Sequence, residues 1–171
     1  MSDPNAPDWK ELVQQHAERV FRIAFRILGS VHDAEDISQD VFTEALTLHQ
    51  SEPVRTWTGL MVRLATLRSI DKLRRERFKP EPLPNSVADS RSIEHPDQAL
   101  LAAELANRLR GEIRNLPQQQ AAIFSLAYFE QLSRSEIASA LAITPESVST
   151  ALYKARKKLS DRMAIIQGTK S

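Results

Sequence analysis

The sequence predicts an all-α chain made of two small helical domains joined by a proline-containing linker. Three observations predict it. Apolar residues recur at helical spacing along almost the whole chain, strand-like alternation is absent, and only four of the 171 residues are glycine. Pro80, Pro82, Pro84 and Pro96 interrupt that periodicity at one place. Near the C-terminus, two capping patterns set off a short helix followed by a long one. The expected layout is a first domain over residues 1–79, a linker over 80–96 and a second domain over 97–171.

The first helix is expected from Trp9 to Leu28, with Leu12, Val13, Ala17, Val20, Phe21, Ala24 and Leu28 as its apolar stripe. Gly29 suits its C-terminus, and Ser30 suits the N-cap of the next helix. That second helix is expected from Val31 to Leu48, with Ala34, Ile37, Val41, Ala45 and Leu48 inward. Asp33, Glu35 and Asp36 lie in its first turn, where the helix dipole favours negative charge. A polar loop, His49 to Pro53, leads to a third helix expected from Val54 to Phe78. Its apolar face is Trp57, Leu60, Met61, Leu64 and Leu67 or Arg68, with Trp57 read as a core residue. Beyond the linker, Leu100, Leu101, Leu105 and Leu109 mark a helix from about Asp97 to Asn115. Pro117 opens another, ending near Phe129, with Ile123, Phe124 and Ala127 inward.

Composition narrows the function. No cysteine is present, which excludes disulfides and cysteine-based metal or redox sites. No apolar run approaches a membrane span, and the start, Met1 to Asp8, does not resemble a signal peptide. A cytoplasmic location follows as an expectation. The net charge of +1 conceals a segregation. Over residues 31–56, six acidic residues face a single base, Arg55. Over residues 57–79, seven basic residues face Asp71 and Glu76. Such neighbouring blocks suit two kinds of partner surface.

The most informative stretch is SRSEIASALAITPESVSTALYKARKKL, residues 133–159. Ser133 and Glu136 form a capping-box pattern, and Thr144 with Pro145 opens the last helix, expected to reach Ala164. A short helix, a tight corner at Ala142 and Ile143, and a longer helix make a helix-turn-helix. Ala138 permits close approach of the two helices, while Ile143, Val148 and Leu152 face inward. That leaves Glu146, Ser147, Ser149, Thr150 and Tyr153 outward at the start of a recognition helix, where side chains can reach base edges. Lys154, Arg156, Lys157 and Lys158 follow and suit phosphate. On the third helix, Arg68, Lys72, Arg75 and Lys79 share one face and could track a nucleic-acid backbone.

On these residues the chain resembles the sigma factors of bacterial RNA polymerase, in the small two-domain extracytoplasmic-function (ECF) group. The first domain resembles the family's second region through DAEDISQDVF (33–42), RTW (55–57) and IDKLRR (70–75). The second resembles its fourth region through LPQQQAAIF (116–124), LSRSEIASAL (132–141) and VSTALYKARKKL (148–159). The resemblance implies a factor that binds core RNA polymerase and directs it to promoters for transcription initiation. It implies that Asp33, Glu35, Asp36, Gln39 and Asp40 dock on the polymerase. It also implies that Arg63, Arg68, Lys72 and Arg75 meet the downstream (−10) promoter element, and that the recognition helix reads the upstream (−35) element. An anti-sigma protein is the further partner it implies.

Several positions depart from the family pattern. Leu67 stands where an asparagine is usual, Ala142 where glycine is usual, and Ser149 and Ala151 where bases are usual. These substitutions put the usual promoter readout in question. A different reading of the same helix-turn-helix is a stand-alone transcriptional regulator that does not dock on polymerase. An enzyme is disfavoured. His16, His32, His49 and His95 lie far apart without ligand spacing, and the chain has no glycine-rich phosphate loop or nucleophile motif. No catalytic residue, metal or cofactor is therefore expected.

Overall fold

A computed structural model describes residues 6–76 and 96–168, and the side chains of these residues as far as Ala164. The described residues form seven helices and no strand: α1 Trp9–Leu28, α2 Val31–Ser51, α3 Trp57–Arg75, α4 Pro96–Arg114, α5 Gln118–Tyr128, α6 Arg134–Leu141 and α7 Pro145–Gly168. Most of the expected linker, and Lys79 with it, lies outside the described residues.

Local chemistry sets the ends of α1. Asp8 Oδ1 accepts from the amides of Lys10 (3.0 Å) and Glu11 (3.3 Å). At the other end Gly29 is left-handed, at φ 71°, and its N–H donates to the Phe25 carbonyl. A Cβ at Gly29 would meet the Arg110 guanidinium at 2.9 Å. That guanidinium is there because its Nε donates to the Arg26 carbonyl (3.1 Å), which brings α4 against the end of α1. Burial lowers the pKa of Arg110. The buried stripe is Leu12, Val20, Ile23, Ala24 and Ile27. Val13, expected inward, is exposed, and Ile23 and Ile27 take the inward positions that the sequence reading missed.

Helix α2 starts where Ser30 Oγ accepts from Asp33 N. It runs three residues past the expected end at Leu48, so most of the expected His49–Pro53 loop is its last turn. Pro53 explains the new end, because proline disfavours helical backbone at the residue before it. Glu52, directly before Pro53, is extended at φ −143°. The hydroxyls of Thr43, Thr47 and Ser51 each donate to the carbonyl four residues earlier, which satisfies them inside the helix.

Helix α3 starts three residues later than expected and buries more than one face. Met61, Val62, Leu64, Ala65, Thr66, Ser69, Ile70 and Leu73 are all buried, whereas Leu67 and Arg68 are half-buried. The cause is tertiary. Helices α1 and α2 cover α3 on one side, and α5 and α6 cover it on another.

Helix α4 departs most from expectation. Of its residues only Ile113 is buried. Three of the four supposed inward leucines stand outward, with Leu100 and Leu101 each 64% exposed, while Leu109 is half-buried against the core. Helices α5, α6 and α7 pack together around Ile123, Leu126, Ile137, Val148 and Ala155. This cluster is continuous with that of the N-terminal helices, so one apolar core runs from Leu12 to Leu159. Polar contacts reinforce the junction. Arg26 Nη1 donates to the Phe129 carbonyl (2.5 Å) and lies 3.3 Å from Glu130 Oε1, while Arg19 Nε lies 3.5 Å from Glu130 Oε2. Gln118 donates to Asp71.

Candidate nucleic-acid and protein interfaces

The five expected docking residues all lie on the first half of α2. Glu35, Gln39 and Asp40 are exposed, and Asp33 and Asp36 are half-buried. The difference has a visible cause. Lys72 Nζ on α3 reaches Asp33 Oδ1 at 3.0 Å and Asp36 Oδ2 at 3.7 Å. Burial alone would lower the Lys72 pKa, but the hydrogen bond to Asp33 and the charges of Asp33, Glu76 and Asp36 outweigh it and leave the pKa raised. Asp36 also lies 3.6 Å from His32 Nε2, an exposed i,i+4 pair.

One turn away, Arg68 grips Glu44 with both arms. Nε lies 2.6 Å from Oε2 and Nη2 lies 2.5 Å from Oε1, and Arg68 also reaches Asp71 (3.3 Å). This hydrogen bonding lowers the Glu44 pKa and raises that of Arg68. Part of the sequence's charge segregation is thus neutralised internally: α2 supplies the acids and α3 the bases. Of the four expected strand contacts on α3, Arg63 and Arg75 are exposed, and Arg68 and Lys72 are held by carboxylates. Glu44 was not singled out in the sequence, where one acid at helical spacing from another carries no sign of its partner.

Where α1 begins, α2 ends and α3 begins, three rings meet. Trp9, His49 and Trp57 have centroids 5.4–5.9 Å apart, in edge-on and tilted contacts. All three are half-buried, so Trp57 is a wall of this cluster rather than a fully buried core residue. His49 Nδ1 is buried without a hydrogen-bond partner.

The helix-turn-helix is built as its capping patterns imply. Ser133 N donates to Glu136 Oε2 (2.7 Å), and Glu136 N donates to Ser133 Oγ (3.2 Å). The contact with the Ser133 backbone, then that with its hydroxyl, lowers the Glu136 pKa. Ala142 turns the corner in the left-handed region, φ 54° and ψ 45°, as the usual glycine would. Thr144 Oγ1 accepts from Ser147 N (3.2 Å) and opens α7. Val148, Ala151, Leu152, Ala155 and Leu159 are buried. Glu146, Ser147, Thr150, Tyr153, Lys154, Arg156 and Lys157 are therefore brought together on the exposed side. Ser149 is half-buried, and its hydroxyl donates to the Pro145 carbonyl (3.1 Å). Arg156 lies over the Tyr128 ring, 5.6 Å from its centroid. Because Ala151 packs inward, a long base at that position would have to leave the α7 core face.

No group of His, Asp and Glu among the described residues is placed to hold a metal ion, and no described helix is long and apolar enough to cross a membrane.

Comparison with known proteins agrees with this geometry. Residues 12–78 match the Sigma-70 region 2 family, and residues 106–159 match the Sigma-70, region 4 family. A region 2 unit followed by a region 4 helix-turn-helix defines the class, a two-region sigma-type protein. Among curated relatives, the ECF RNA polymerase sigma factor SigE of Mycolicibacterium smegmatis is 32% identical over 160 residues, covering 92% of this chain and 62% of the relative. The ECF RNA polymerase sigma factor SigW of Bacillus subtilis is 28% identical over 165 residues, covering 90% and 87%. The solved structure of CnrH in complex with the cytosolic domain of CnrY shares the fold, with a TM-score of 0.62 at 20% identity, covering 92% of this chain and 88% of that one. The chain belongs to the ECF RNA polymerase sigma factors.

Proposed function

We propose that the protein binds core RNA polymerase and directs it to specific promoters, catalysing no reaction itself and using no cofactor. The α2 face of Asp33, Glu35, Asp36, Gln39 and Asp40 docks on the polymerase. Arg63, Arg68, Lys72 and Arg75 meet the −10 element. Glu146, Ser147, Ser149, Thr150, Tyr153, Lys154, Arg156 and Lys157 meet the −35 element. The functional division is residues 1–79, a linker over 80–96, and 97–171. The protein acts in the cytoplasm without membrane insertion and is held inactive by an anti-sigma protein.

The observation that carries this reading is the ordered pair of matched regions, with an acid row that includes the exposed Glu35 and Asp40 on the first and an exposed recognition-helix face on the second. Carboxylates in a row steer and register a basic partner surface.

The test is complex formation between the purified protein and bacterial core RNA polymerase. Glu35 and Asp40 are the residues to reverse, because they are exposed and form no ion pair among the described residues. Wild-type protein is expected to bind core tightly, and Glu35→Arg/Asp40→Arg to bind at least roughly tenfold more weakly, about 1.4 kcal/mol. Wild-type protein that ignores core but retains promoter DNA alone would establish a stand-alone regulator instead.

A further inference from the structure

The end of α3, the corner between α4 and α5, and one side of α7 enclose a cleft of about 1090 Å³. Its lining is strongly cationic. Arg68, Arg74 and Arg75 come from α3, Arg114 from the end of α4, and Lys158 from α7. The lining carboxylate is Asp71, which is already engaged by Arg68 and Gln118. Arg74, Arg75, Arg114 and Lys158 form no ion pair among the described residues, whereas Arg68 and Lys72 on α3 and Arg162 on α7 do. Arg114 Nε is buried and donates to nothing. An orphaned guanidinium donor is costly to keep, and a site that completes it with an acceptor removes that cost. Helix α5 starts at the cleft wall, after Pro117, with no side-chain cap on its first turn. Its dipole adds positive potential to the same space.

These features select the ligand's chemistry. Guanidinium groups match phosphate oxygens in a planar, two-pronged geometry. Four cations without an ion-pair partner among the described residues suit several negative charges on one molecule. None of the lining residues is aromatic, so the cleft has no platform for stacking a base. We propose that this cleft binds a small multiply charged phosphate anion of the polyphosphate class. The anion bridges α3 to α5 and α7 and holds the two halves of the molecule together. The proposal rests on the arrangement of these helices, and the cleft shares Arg68 and Arg75 with the surface proposed for the −10 element.

The experiment titrates the full chain with inorganic tripolyphosphate at fixed ionic strength, by calorimetry and by thermal unfolding. One equivalent is expected to bind saturably and to raise the Tm. Arg114→Ala/Lys158→Ala is expected to weaken binding at least roughly tenfold. Lys10→Ala, a cation on the exposed start of α1, is expected to leave it within roughly twofold. Hydrogen exchange at Gln118, Gln119 and Gln120 is expected to slow on binding in the wild type only. If the double variant unfolds early without ligand, Lys158→Glu alone, at an exposed position, supplies the comparison. The proposal is overturned if wild-type binding does not saturate, or if Lys10→Ala weakens it as much as the cleft variant does. It is equally overturned if a single-stranded abasic oligonucleotide binds in a cleft-dependent manner and tripolyphosphate does not, since the cleft would then be a path for a strand.

Discussion

At Ala142 a residue with a Cβ occupies backbone geometry that normally belongs to glycine. The left-handed conformation costs an L-residue about 1–2 kcal/mol, and glycine's extra freedom in the unfolded chain offsets part of the relief. Ala142→Gly is therefore expected to stabilise the protein by about 0.5–1 kcal/mol in urea unfolding; a loss of stability would refute strain at the corner. A second residue-level expectation concerns Glu44. Its pKa is lowered in the folded protein, chiefly by the Arg68 hydrogen bond. The unfolded chain thus takes up this proton first as pH falls. The contribution is complete above the ordinary carboxylate range and disappears as pH drops through the lowered folded value. Both partners are partly exposed, so the effect is modest. Glu44→Gln should remove that part of the acid limb of a stability–pH profile and leave the neutral limb's shape unchanged. Capping at Ser133 and Thr144 was readable in the sequence because each cap spans three residues. The Glu44–Arg68 grip, 24 residues apart, was not.

Periodicity located every helix, and it misjudged the helices whose surroundings it could not contain. In α3, apolar spacing implied one buried face, yet Thr66 and Ser69 are buried as well, because the C-terminal helices press on the far side. In α4 the error has the opposite sign: four leucines at helical spacing implied a core stripe, and three of them face outward. The two helices therefore predict opposite costs for similar truncations. Ile70, 0% exposed in the C-terminal half of α3, should lose about 2–5 kcal/mol on Ile70→Ala. Leu101→Ala should change stability by no more than about 0.5 kcal/mol. Chemical denaturation of the two variants side by side checks both values, and a large loss at Leu101 would mean that α4 is covered in solution.

For the whole molecule, the sequence's own punctuation marked two helical domains, and the described residues of both contribute to one apolar core. Contacts such as Arg26 to Glu130, 104 positions apart, have no periodic trace, and a proline-rich stretch between them reads as separation. The faces proposed for docking and recognition could be read from the sequence because each lies on consecutive turns of one helix. The cationic cleft was not, because three distant segments contribute to it. Glu130, with its side chain only 4% exposed, is the polar centre of the junction. Glu130→Ala would leave Arg19 and Arg26 without their carboxylate, at a cost of roughly 1–3 kcal/mol. Solution scattering should show a larger radius of gyration while helical content is kept. An unchanged radius would mean that apolar packing alone holds the halves together.

The lysine wedged between Asp33 and Asp36 changes what an incoming protein meets on α2. Two of the four carboxylates in that row already have a resident counterion, and it is covalently part of the same chain. A basic partner helix would displace Lys72 there instead of dissolved sodium or potassium. Fewer free ions are then liberated per contact, so association should lose less affinity on adding salt than the number of acids suggests. The displaced ammonium also stays tethered to α3. Occupation of the acidic face would therefore add one unit of free positive charge to the neighbouring helix at the moment of assembly.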